Sequence, residues 1–189
     1  MTQRTASILL HTCCGPCLLG VAPHLSDRGY RVHAYFNNPN IHGLIEFRRR
    51  LGAFLQAVDI LKLPETHESA YGLELFMAMW TNHRTDRCRG CYRMRLEPAA
   101  AEARRLGIPH MTTTLLISPH QDRAVVIEEG RRAAHAEGVE FVEDDFRDLH
   151  EAAVAEAKRH SLYRQQYCGC IFSEEARYRN TRKHLPRRG

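Results

Sequence analysis

A chain of 189 residues with 43% hydrophobic and 26% charged side chains is long enough to bury one real core, and that composition excludes a disordered polymer. No apolar run approaches the roughly 20 residues of a membrane helix, and the apolar stretch near the start is too short for a signal peptide, so a cytoplasmic protein with no membrane partner is expected. The formal net charge of +5 is mild: it permits a nucleic-acid partner without demanding one.

Taken in chain order, SILLHT reads as a strand and LLGVAPHLSDRG as a helix that stops at Gly29. YRVHAYF is a second strand. GLIEFRRRLGAFLQAVDIL is a helix, with Leu44, Phe47, Leu51, Phe54 and Val58 along one side. The stretch from Leu61 to Asn82 holds no recognisable motif. CYRMRLEPAAAEARRLG reads as a helix ending near Gly107, IPHMTTTLLI as a third strand, QDRAVVIEEGRRAAHAEG as a helix, VEFVEDDF as a strand and LHEAAVAEAKRH as a last helix. This alternation predicts an α/β fold with a doubly wound, mostly parallel sheet that binds ligands beyond the carboxyl ends of its strands. A single domain over residues 1–178 and a basic tail over 179–189 are expected. From Arg177 onward RYRNTRKHLPRRG carries six Arg or Lys and no acid, which suits either a solvated terminus or a phosphate-tracking tail.

Three loops follow the first three strands: HTCCGPC, NNPNIHG and SPHQD. In a doubly wound sheet their side chains are expected to share one crevice. Asn37, Asn38 and Asn40 lie in the second loop. Arg48, Arg49 and Arg50 follow it, as phosphate contacts or as a solvated helix face. Asp122 opens a helix, where it serves either as an ordinary terminal carboxylate or as a proton donor or ligand.

The seven cysteines are clustered. In a reducing compartment that pattern points to metal or redox chemistry before structural disulfides. Cys88 and Cys91 form a CxxC at a helix start, so both thiols share a face. Cys13 and Cys14 are adjacent, with Cα atoms about 3.8 Å apart against the 4.4–6.8 Å a disulfide usually spans, so a bond between them would be strained. Two thiols plus two make four, the usual set for an iron-sulfur cluster or a structural zinc. Cys168 and Cys170 flank one glycine and suit a labile redox disulfide, or metal ligation. Cys17 completes CGPC with Cys14, a spacing that also fits a thioredoxin-type dithiol.

LLHTCCGPC, YFNNPNIHG with the following EFRRR, RCRGCYRMRLEPAA, TTTLLISPHQ, DFRD and SLYRQQYCGCIFS, in this order, resemble the QueH family of epoxyqueuosine reductases over roughly residues 8 to 178. The resemblance implies a HUP-class, Rossmann-like domain with a metal site at the carboxyl ends of its strands. It also implies cobalamin-independent reduction of epoxyqueuosine to queuosine at the wobble position of tRNA. By the same resemblance, Cys13, Cys14, Cys88 and Cys91 would hold a 4Fe-4S cluster, and Cys168 and Cys170 would form a redox-active pair. Cys17 and Asp122 are spare candidates for a second iron or for proton delivery, and the electron donor is unidentified. PP-loop ATPases of the same class carry a Ser/Gly-rich phosphate loop where this chain has CCGPC, so nucleotide activation is not expected. Two rival readings stand beside this one: a thioredoxin-like exchanger using Cys14 and Cys17, with GIPH as its proline loop, and a noncatalytic zinc module that binds RNA.

Overall fold

The computed structural model describes residues 6–181. The strands are β1 (Ala6–His11), β2 (Tyr30–Phe36), β3 (Glu65–His67), β4 (His110–Thr113) and β5 (Glu140–Phe141). The helices are α1 (Gly15–Asp27), α2 (Leu44–Leu61), α3 (Leu73–Asn82), α4 (Arg87–Arg105), α5 (Arg123–Glu137), α6 (His150–Arg159) and α7 (Ile171–Tyr178). Most of the expected basic tail, residues 182–189, lies outside the described residues.

All five strands are parallel, in the order β3-β2-β1-β4-β5. β1 is central and covered on both faces, so Ile8, Leu9 and Leu10 form an unbroken apolar run that is fully buried. α1 packs against α2 and α6, while α4 packs against α5. Right-handed crossovers place these two groups on opposite faces of the sheet. The doubly wound architecture expected from the alternation is therefore present.

Two expected strands are shorter than their sequences suggest. IPHMTTTLLI stays in the sheet only to Thr113, because the Thr113 hydroxyl accepts from the amide of Leu115 at 3.1 Å and turns Thr114–Ile117 into a 3-10 helix. VEFVEDDF keeps only Glu140–Phe141 in the sheet, at the edge beside the already short β4. Past Phe141, the amide of Val142 donates to Met111 and the hydroxyl of Thr112 donates to the Val142 carbonyl, both at 2.8 Å. β3, α3 and α7 were not foreseen. Among the described residues, no helix is long and apolar enough to cross a membrane.

Candidate active site

The sheet order reverses between β1 and β4, so the crevice beyond their carboxyl ends is the natural ligand position. The turn leaving β1 fills it with sulfur. Thr12 extends the ladder by donating to Tyr35 at 2.7 Å, and Cys14 then takes an extended backbone as the cap of α1. Gly15 opens that helix against α2: a Cβ there would lie 2.2 Å from the Ala53 carbonyl oxygen. Only glycine lets the two helices approach so closely.

The Sγ atoms of Cys13 and Cys14 are 3.7 Å apart, those of Cys14 and Cys17 are 3.0 Å apart, and all three lie within 4.8 Å of one another. Among the described residues this is the group of metal-ligating side chains brought to such distances. All seven cysteines are free thiols. The early exit of β4 serves this group. Thr114, the first residue beyond the strand, accepts from the Cys13 amide at 2.9 Å and donates to its sulfur at 3.2 Å.

The three sulfurs are electrostatically unequal. Hydrogen bonds from Cys14 and Cys17, then from Thr114, hold the Cys13 thiol well below its usual range. Burial pushes Cys14 up, and Cys17 is raised as the partner that keeps its proton. His11 is fully buried, and its pKa falls to about 4 through burial and the nearby charge of Arg95, so its ring is neutral at pH 7. Nε2 faces the Asn37 carbonyl at 3.3 Å and Nδ1 faces the Thr113 hydroxyl at 2.8 Å, which assigns the proton to Nε2.

Cys88 and Cys91 sit in the first turns of α4, whose cap Asp86 accepts from the Arg89 amide at 3.3 Å. They are not members of the three-thiol group. Their electrostatic neighbours are Cys168 and Cys170. Burial raises Cys88, and it pushes Cys91 up to about 12. Cys13, Cys91 and Cys168 all act on the charge of the buried Arg95.

The Cys168–Cys170 loop is fixed by residues after β2. Arg50 is 2% exposed; its Nε donates to Glu46 at 2.7 Å, Nη1 to the Cys168 carbonyl at 2.8 Å and Nη2 to the Tyr167 carbonyl at 2.9 Å. Tyr163 donates to the other oxygen of Glu46. The His42 amide donates to the Gly169 carbonyl, and the Tyr167 hydroxyl donates to the His42 carbonyl, both at 2.8 Å. Gly169 has φ +143, a conformation that L side chains rarely adopt, and a Cβ there would press on Asn40 Nδ2 and Ile41 Cγ1 at 3.2 Å.

Of the other expected site residues, Arg48 and Arg49 lie exposed on α2, with Arg49 Cζ 5.7 Å from the Tyr163 ring centroid. Arg50 is instead buried under the loop it holds, its donors already satisfied by protein acceptors. Asn38 is buried and donates to the Thr12 carbonyl at 2.8 Å, Asn37 donates to the Tyr35 hydroxyl at 3.2 Å, and the buried Asn40 amide has no hydrogen-bond partner. Asp122 caps α5 by accepting from Val125 at 3.2 Å, the ordinary terminal role. Two glutamines escaped the sequence reading: Gln165 Nε2 lies 3.0 Å from Cys14 Sγ, and Gln121 Nε2 lies 3.4 Å from Cys168 Sγ. Their signal was position, since Gln165 stands three residues before Cys168 and Gln121 closes SPHQ.

A sequence model described as "Epoxyqueuosine reductase QueH" matches residues 8–176. The chain belongs to the QueH family. An epoxyqueuosine reductase QueH from Dehalococcoides mccartyi is 33% identical over 171 residues, covering 90% of this chain and 94% of that protein. The QueH of Thermotoga maritima is 31% identical over 177 residues, covering 88% of this chain and 90% of its own. QueH proteins are thus named as reductases, and the family is one of oxidoreductases. A crystal structure of a predicted subunit of tRNA methyltransferase from Methanocaldococcus jannaschii aligns with a TM-score of 0.54 at 14% identity, over 79% of this chain and 74% of that one. That likeness shows the Rossmann-like fold alone.

Proposed function

We propose that this chain reduces epoxyqueuosine in tRNA to queuosine without cobalamin, at the cysteine-lined crevice beyond β1 and β4. The observation that carries the proposal is the three-thiol group within 4.8 Å at the reversal of the sheet, in a chain whose QueH match spans residues 8–176. The overall change converts an epoxide to an alkene and water, taking up two electrons and two protons.

The donor set fits a thiophilic metal group. It consists of sulfur with no carboxylate among the three, and its neighbours already favour the anionic form of Cys13. Cys13 and Cys14, with Cys88 and Cys91 on α4, are the residues proposed to hold a 4Fe-4S cluster, leaving Cys17 for a second iron. When bound, such a group supplies single electrons and a Lewis-acidic iron. The chain's own residues supply the rest. Oxidation of the Cys168–Cys170 dithiol to a disulfide releases two electrons and two protons, which balances the reaction. Gly169 allows both sulfurs to approach, and Gln121 orients that of Cys168. His11, neutral and held at both nitrogens, keeps the floor of the crevice fixed. Asn37, Asn38 and Asn40 border the crevice, and the exposed Arg48 and Arg49 offer phosphate contacts to a single-stranded tRNA loop.

A thiol-disulfide exchanger is favoured by one distance, the 3.0 Å between Cys14 and Cys17. It is opposed by chemistry: both thiols are buried and held in the protonated form, whereas an attacking cysteine must be an accessible thiolate. Anaerobic purification decides between the readings. Iron and acid-labile sulfide, with conversion of epoxyqueuosine to queuosine in tRNA under a chemical reductant, are expected; zinc alone, or a metal-free protein active in insulin reduction, would overturn the proposal.

A further inference from the structure

Arg95 is on α4, one turn beyond Cys91, and is 1% exposed, so a permanent positive charge sits in the interior. Its Nε donates to the Cys91 carbonyl at 3.0 Å, and its Cζ lies 5.6 Å from the Tyr92 ring centroid. Nη2 has no hydrogen-bond partner. Among the described residues no carboxylate pairs with this guanidinium, unlike Arg50, which is equally buried and has Glu46 at 2.7 Å. A buried cation without an anion is strongly disfavoured, because desolvation is not repaid. The groups that act on its charge are the thiols of Cys91, one helical turn before it, Cys168 and Cys13, followed by the Tyr92 phenol. Cys88 also feels this charge, and the neighbouring His11 is neutral.

We infer that Arg95 is the internal counter-charge of the cysteine centre, a positioning residue that stabilises the negative charge the thiols acquire when they bind a metal. A divalent cation bound by three thiolates leaves a net charge of minus one beside Arg95, whichever protons the thiols carried beforehand. An all-thiolate iron-sulfur cluster is likewise anionic. The inference rests on the proposed site, but only on its binding of thiophilic metal, not on the identity of the metal group.

The test uses the full chain, reduced and freed of metal, with Zn2+ as the probe in competition with a chromophoric chelator. Arg95→Met should weaken Zn2+ binding by about 10- to 100-fold, the size of effect seen for groups that support metal ligands, whereas Arg95→Lys should stay close to the parent. The melting temperature of metal-free Arg95→Met should equal or exceed that of the parent, because an uncompensated charge has been removed, while its gain on adding Zn2+ should shrink. Equal loss of Zn2+ affinity in both variants, unchanged affinity in Arg95→Met, or a parent that does not bind Zn2+ would each overturn the inference. If Arg95→Met does not fold, Arg95→Gln takes its place as the uncharged member. Iron and sulfide content of the parent tests the cluster separately, so the two ideas fail independently.

Discussion

Arg50 donates to the carbonyl of Cys168 at 2.8 Å, so the loop that carries the CGC pair hangs from a guanidinium on α2. The same group neutralises Glu46, whose side chain is only 10% exposed. Arg50→Met therefore strands a carboxylate and frees the loop in one step. Breaking a buried pair in this way costs about 3–5 kcal/mol, which urea denaturation should register. Alkylation of Cys168 in the folded protein should also accelerate. A stability loss under 1 kcal/mol, with an unchanged alkylation rate, would contradict the role assigned to Arg50.

The two thiol groups should separate in their effects. Cys13→Ser or Cys88→Ser is expected to lower bound iron and sulfide, because loss of one thiolate opens the ligand set to solvent. Cys168→Ser and Cys170→Ser should retain the visible absorbance yet stop multiple turnovers, since the dithiol that balances the electrons is gone. The comparison is between single- and multiple-turnover conversion of epoxyqueuosine in tRNA. Parent-like multiple turnover in both C-terminal variants would reduce YCGC to a structural loop.

Gly15→Ala places a methyl group where the Ala53 carbonyl oxygen would be 2.2 Å away. α1 must then lift from α2, at an expected cost of about 1–3 kcal/mol, and the sulfur turn at its start shifts with it. Gly52 provides the control on the same helix pair: nothing lies within 4 Å of a Cβ there. Gly52→Ala should stabilise by roughly 0.5–1 kcal/mol through helix propensity alone. Thermal denaturation of the two variants should move in opposite directions.

Glu129 is fully buried where α5 meets α4, with Arg89, Arg93 and Arg132 at 2.7, 2.8 and 2.8 Å. Burial alone would push its carboxyl up; the three guanidiniums outweigh that and hold it at about 2, against an ordinary 4.5. A depressed carboxylate stabilises the fold fully above its unfolded pKa and loses that contribution as pH falls through the folded value. Stability should thus decline between about pH 4.5 and pH 2, by about 3 kcal/mol from this group. Glu129→Gln should be less stable at pH 7 and should flatten that stretch of the curve, as read by urea midpoints.

Much of this fold was legible because its inner strands are simple. YRVHAYF is β2 residue for residue, and SILLHT differs from β1 by one position at each end. What the sequence hid lies at the edges. β3 is three residues, too short for any alternation to register, and α3 buries only Phe76 fully, so LELFMAMWTN has no one-sided apolar stripe. α7 has no fully buried residue at all. In the RRR run all three side chains read alike; only helical phase separates them, since Arg50 follows Phe47 by three and precedes Phe54 by four, which puts it on the buried stripe. The thiol turn lies directly after β1, where HTCCGPC puts it, and Cys17 is the nearest sulfur to Cys14. Cys17 follows Cys14 by one helical turn, a spacing that already sets the two sulfurs on one face; the structure adds the distance, 3.0 Å.

The contact between Gln165 and Cys14 joins residues 151 positions apart. Translation runs from the amino terminus, so the sulfur turn leaves the ribosome long before the side chain that closes over it. Four of the five strands precede residue 114, and the last ends at Phe141. A nascent chain therefore contains every strand of its sheet while Cys14 still lacks its cover and YCGC has not been made. The side of the site that carries Gln165 and the CGC pair is thus the last to be made, after the whole sheet that it joins.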